Sequence, residues 1–79
     1  EEPLLYPNPA KNLLGIYKGG EEILDVKIYN SRGVLVIEKQ YSTGQTNITI
    51  NISNLQNGLY YVKIKTSQSE YTEQLVVLR

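Results

Sequence analysis

A chain of 79 residues reads as one domain, small enough to bury only about 60–65% of its unfolded surface and so to be marginally stable. It has no cysteine and no histidine, which excludes disulfides, thiolate metal sites, the usual general base and any Ser-His triad. Eight basic residues balance eight acidic ones, so net charge gives no reason to bind nucleic acid or an anionic membrane.

The elements are expected in this order. Leu4-Leu5-Tyr6-Pro7-Asn8-Pro9-Ala10 is a stiff, extended entry segment with a turn at Asn8, because its prolines fix φ and hold the residues before them extended. Residues 11–17 form a short strand with Leu13 or Leu14 and Ile16 as core candidates, and Lys18-Gly19-Gly20-Glu21 is a loop tip. Residues 22–29 form a clear strand, with Leu24, Val26 and Ile28 on one face and Asp25, Lys27 and Tyr29 on the other. Asn30-Ser31-Arg32-Gly33 fits a type I turn closed by a left-handed glycine.

Residues 34–41 return as a strand. Val34-Leu35-Val36-Ile37 is apolar on both faces, which predicts burial on both sides or a crossing between sheets. Ser42-Thr43-Gly44-Gln45 reads as a loop. Residues 46–52 alternate, with Ile48, Ile50 and Ile52 inward. Asn57-Gly58 is a turn signal, and Leu55 amid polar neighbours is expected to plug one end of the core. Tyr60, Val62 and Ile64 then face in from a central strand, with Leu59, Tyr61, Lys63 and Lys65 opposite. Residues 67–70 turn, and residues 71–78 form a last strand, expected at a sheet edge. Six or seven strands without helical periodicity predict an all-β, antiparallel, immunoglobulin-like sandwich.

Candidate chemistry is sparse. The longest apolar run, residues 75–78, falls far short of the roughly 20 residues that span a bilayer, so no direct membrane insertion is expected. Glu1-Glu2 has the wrong charge for a signal peptide, and the chain reads as a piece of something larger or a mature fragment. Glu21-Glu22 beside two glycines could hold a hard cation, but a solvated loop explains them as well. The glycines match neither dinucleotide nor P-loop spacing, and no serine has a base to activate it. Asn47-Ile48-Thr49 and Asn51-Ile52-Ser53 match the N-glycosylation pattern, but also the outer face of an alternating strand. Seven tyrosines without phenylalanine or tryptophan suit thin, half-covered sheets; a tyrosine-lined binding face is the alternative.

Four pieces in one order carry a resemblance. Tyr6-Pro7-Asn8-Pro9-Ala10 opens the chain. The hairpin around Asn30 has Gly33 at its fourth turn position. Leu55, Asn57, Gly58 and Tyr60 form a leucine-glycine-tyrosine turn. The apolar strand Leu75-Val76-Val77-Leu78 ends at once in Arg79. Together they resemble the C-terminal sorting domain of type IX secretion cargo, in the type A form of the Bacteroidota, over residues 6–79.

The resemblance implies a seven-stranded immunoglobulin-like sandwich and a single C-terminal sorting domain over residues 1–79, with residues 1–5 a linker remnant or first strand. It implies no enzyme activity and no cofactor. Its partners would be the type IX outer-membrane translocon and a sortase-like surface peptidase. That peptidase would typically cut upstream of the domain and join the cargo to the cell surface, or release it. The domain would pass through the periplasm on its way to the surface or the medium. Tyr6, Pro7, Asn8, Pro9, Gly33, Leu55, Asn57, Gly58, Tyr60 and Arg79 match the family's motifs. Asn30 stands where the family commonly has aspartate, and Glu73 and Gln74 stand where it often has lysine.

Docking is then expected through the last strand and Arg79, read by strand addition, or else that strand serves only folding. Edge pairing between two last strands would give a dimer. The second functional class is an immunoglobulin-like accessory or carbohydrate-binding module using tyrosines such as Tyr61.

Overall fold

The computed structural model describes residues 3–79, which hold seven strands and no helix. These are β1 (Leu4–Tyr6), β2 (Leu13–Tyr17), β3 (Ile23–Asn30), β4 (Leu35–Gln45), β5 (Asn47–Asn51), β6 (Gly58–Thr66) and β7 (Glu70–Val77). All named pairings are antiparallel, in two sheets ordered β1-β2-β5 and β4-β3-β6-β7. Placing β2 with β5, and β3 with β6 and β7, is the immunoglobulin-like order. The expected seven-stranded sandwich is therefore present. Leu4 and Leu5 lie in β1, while Glu1 and Glu2 fall outside the described residues.

Alternation builds the core. Leu14 and Ile16 from β2 meet Ile48 and Ile50 from β5, in register as Leu14↔Ile50 and Ile16↔Ile48. The other sheet contributes Val26 and Ile28 from β3, Tyr60, Val62 and Ile64 from β6, and Leu75 and Val77 from β7. Burying each such aliphatic side chain stabilises by about 1.5–3 kcal/mol. β6 has a neighbour on both sides, as expected of the central strand. Leu55 belongs to the core cluster and plugs one end.

Three expectations need correction. Leu24 is half-buried and Ile23 takes the core position. A register shift between Ile23 and Asp25 adds a residue there, so Ile23 and Val26 both point inward. Residues 34–37 neither cross between sheets nor lie buried on both sides. β4 is an outer strand, and Val34, Leu35 and Val36 are exposed. The apolar run reads like an interior strand, but the three-stranded sheet opposite is too narrow to cover it. Finally, residues 42–45 are not a loop but the continuation of β4, with Gln45 paired to Ile23. Gly44 permits this, because a Cβ there would lie 2.6 Å from the Glu22 Cβ.

At the end of the sandwich that carries the β6–β7 hairpin, one carboxylate ties the two sheets together. Glu21 follows β2 and is bonded by the Thr66 hydroxyl at 2.7 Å, the Tyr71 hydroxyl at 3.2 Å and the Lys18 ammonium at 3.3 Å. The Lys18 ammonium also stands 5.3 Å from the Tyr71 ring centroid. Glu21 is therefore no hard-cation ligand in waiting but the acceptor of a closed polar cluster. The Thr66 hydroxyl, followed by Lys18 and Tyr71, holds its carboxyl below the usual range despite partial burial.

Two predictions follow from this packing. A Cβ on Gly15 would come 2.5 Å from the Tyr6 ring, its register partner. Gly15→Ala should therefore destabilise by about 1–3 kcal/mol in urea unfolding. The same change in a Tyr6→Ala background should cost much less. The depressed Glu21 pKa contributes stability that is present above its unfolded value and lost as pH falls through the folded one. The unfolding midpoint of Glu21→Gln should accordingly fall less steeply than wild type below about pH 4.3, the ordinary glutamate value.

Candidate recognition site

The segment between β1 and β2 lies along the outer flank of β7. β7 has a strand partner on one side only, so alternate backbone groups on its other side face away from the ladder. Asn8 satisfies two of them with its side chain. Its Nδ2 donates to the Gln74 carbonyl at 3.1 Å, and its Oδ1 accepts from the Val76 amide at 3.1 Å. An asparagine amide carries one donor and one acceptor side by side, which is what a strand edge presents. Ala10 continues the pairing: its amide donates to the Val76 carbonyl at 2.8 Å, and the Leu78 amide donates to its carbonyl at 2.9 Å. Ala10 is fully buried.

Pro7 and Pro9 flank the reading residue and lack amide donors of their own; both of their preceding peptide bonds are cis. Tyr6 anchors the segment on the other sheet. Its ring covers Gly15, and its hydroxyl donates to Asn47 Oδ1 at 2.7 Å.

Arg79 follows β7 and turns back onto the fold. Its Nη2 donates to the Ile52 carbonyl at 2.8 Å, its Nη1 donates to the Leu55 carbonyl, and its Nε donates to Asn12 Oδ1 at 3.1 Å. Its own amide donates to Asn57 Oδ1 at 3.1 Å. The planar guanidinium thus closes the turn that follows β5, a task for which lysine lacks the fork. The turn is also braced from within: the Leu55 amide donates to the Ile52 carbonyl, and the Ile52 amide to Asn12. The Tyr60 hydroxyl reaches back to the Gln56 carbonyl at 2.7 Å. Gly58 has a φ of 154°, which L side chains rarely adopt, so glycine is needed where the turn enters β6.

The hairpin glycine belongs to the same end. Gly33 has a φ of 83°, and Asn30 Oδ1 accepts from the Arg32 and Val34 amides at 2.9 and 3.0 Å. The turn-capping oxygen survives the absence of aspartate. Asn30, Ser31 and Arg32 face residues 56–60 across a shallow polar depression of about 200 Å³.

The motif positions therefore converge on one end and one flank of the sandwich. The structure divides the last apolar run: Leu75 and Val77 are buried, while Val76 and Leu78 are exposed. Asn12, the role of Asn47 as partner of Tyr6, and the backbone carbonyls of Ile52, Leu55 and Gln74 escape sequence reasoning. Asparagine in a polar stretch carries no signal of its own, and a carbonyl carries none at all.

The expected strand-addition edge is largely occupied, since Asn8 and Ala10 already bond Gln74, Val76 and Leu78. Among the described residues, no group of three or more acidic side chains could hold a metal ion. None of the polar groups assembled here is a nucleophile beside a base.

Removing the clasp tests its weight. Arg79→Ala should destabilise by about 1.5–3 kcal/mol, the range of hydrogen bonds to a charged group. Arg79→Lys should recover only part of that loss. Urea unfolding reads the midpoint, and amide exchange at Leu55 and Asn57 should accelerate before the rest of the chain.

Comparison with curated proteins gave no match. Comparison with protein families matched residues 4–78 to the family described as the secretion system C-terminal sorting domain. The match spans almost every element just described, from β1 through Leu78, and includes the proline-asparagine segment, both glycine turns and the clasped last strand. The chain belongs to the family of secretion system C-terminal sorting domains.

Proposed function

We infer that the chain serves as a type IX secretion C-terminal sorting signal, destined with its cargo for secretion or the cell surface and dependent on the secretion machinery. The family is one of signals rather than of enzymes.

We propose that residues 1–79 form one sorting domain that leads a larger cargo from the periplasm through the outer-membrane translocon. A sortase-like surface peptidase then cuts upstream of the domain and joins the cargo to the cell surface. The domain is read as a folded end, not as a loose tail. The observation that supports this is the clasp: the Arg79 side chain is spent on the Ile52 and Leu55 carbonyls, and Asn8 on the β7 backbone. A receptor meeting this end finds the exposed side chains of Val76 and Leu78, framed by Pro7, Asn8 and Pro9. Gly33, Leu55, Asn57, Gly58, Tyr60, Leu75, Val77 and Arg79 shape that end from within. The carbohydrate-module alternative gains no such observation: Tyr61, the tyrosine it would use, is half-buried opposite Tyr29.

A fusion tests this proposal. Residues 1–79 are joined to the C-terminus of a fluorescent protein with a signal peptide, in a host with a working type IX system. The fusion should reach the surface or the medium. Replacing the two exposed residues, Val76→Asp with Leu78→Asp, should cut secretion at least tenfold while circular dichroism of the purified domain stays unchanged. Retention of the unmodified fusion in the periplasm would overturn the sorting role. Normal secretion of the folded double variant would overturn the reading surface alone.

A further inference from the structure

The two outer strands of the four-stranded sheet are treated differently. β7 is covered by Asn8 and Ala10. Among the described residues β4 carries no such cover, although Val34, Leu35 and Val36 are 55, 43 and 39% exposed. Natural edge strands are usually blunted by charge, proline, bulges or a covering segment. Residues 34–37 hold neither charge nor proline, and the register shift near Tyr29 and Leu35 bends the strand without covering it.

Beside this edge lies a groove of about 470 Å³ between β4 and the turn after β5. Val36, Ile37 and Leu55 give it apolar walls, and Asn51, Asn54, Glu38 and Lys39 give it polar ones, with the Glu38 carboxylate already paired to Lys27 at 3.6 Å. Lys39 pairs in register with the core residue Val26, so it stands on the inward side of β4 at the groove. Among the described residues it has no ion pair. An inward lysine on an edge strand rejects an incoming strand that offers it only apolar contacts. It accepts one that brings a carboxylate.

We propose that the β4 edge and this groove form a strand-addition site for an extended segment of a partner protein. That segment carries apolar side chains at alternate positions and an acidic residue facing Lys39. Main-chain pairing with β4 supplies affinity, and the groove and Lys39 supply selectivity. A second copy of this chain fits poorly. Antiparallel pairing about Ile37 sets Lys39 against Leu35, and pairing about Glu38 sets it against Ile37 and brings two glutamates together. The groove borders the clasped end, with which it shares Leu55 and the turn after β5, but the proposal does not rest on the sorting role.

The test is selection of a random nine-residue peptide library on the immobilised 79-residue domain. A selected peptide is then synthesised and its site mapped by amide shifts. The expected peptides alternate apolar residues, contain Asp or Glu, and shift residues 34–39 together with Asn51, Asn54 and Leu55. Val36→Lys should weaken them at least tenfold with an unchanged circular dichroism spectrum. Selection on Lys39→Glu should exchange the acid for Lys or Arg. The proposal is overturned if no peptide is selected, if peptides map elsewhere or ignore the charge reversal, or if the free domain self-associates through β4.

Discussion

An outer strand has only one neighbour, and the backbone groups on its other side must be paired or left to water. That constraint on β7 organises this molecule. Asn8 meets it with a side-chain amide that imitates a strand, and Ala10 meets it with true backbone pairing. Once those contacts are fixed, much else follows. Tyr6 pins the segment to the second sheet over Gly15, and Ala10 must be small enough to be fully buried. A segment that looks like a linker thus acts as an eighth, partial strand.

A domain of this size has little core to spare, and it has no cysteine to staple it. Polar clasps stand in at both ends. At one, Arg79 gathers the carbonyls of Ile52 and Leu55 with the side chain of Asn12. At the other, Glu21 gathers Thr66, Tyr71 and Lys18. Each joins parts of the chain far apart in sequence, so each limits fraying where the aliphatic layers run out. Both depend on a charged group that makes at least three hydrogen bonds.

For a sorting signal this has a functional meaning. Residues that carry the family resemblance are mostly consumed in holding the last strand in place. What remains outward at that end is a small apolar surface, Val76 and Leu78, beside a rigid proline-flanked turn. Folding and recognition are therefore not separable by truncation, because removing the end removes the core residues Leu75 and Val77 and the Arg79 clasp with them. The opposite outer strand, β4, is free of this duty and keeps its apolar edge open.

Strict alternation at Ile48, Ile50 and Ile52, and at Tyr60, Val62 and Ile64, determined by itself which strands exist and which faces are buried, since side-chain direction along a strand has a period of two. The turn residues Asn30 and Gly33, and Asn57 and Gly58, determined where the chain reverses, because their conformational preferences are local. The motif order was legible as a resemblance without any knowledge of what its residues touch. The sequence could not show that Ile23 replaces Leu24, because a bulge depends on register with two neighbours. Nor could it show that residues 34–36 face solvent: an apolar run reads alike in an interior strand and at an uncovered edge, and only the width of the opposing sheet decides between them. The partners of Asn8 and Arg79 lie 22 to 68 positions away in sequence. Backbone carbonyls and amides leave no mark in the amino-acid code, so tertiary structure alone decided that these two residues close the fold.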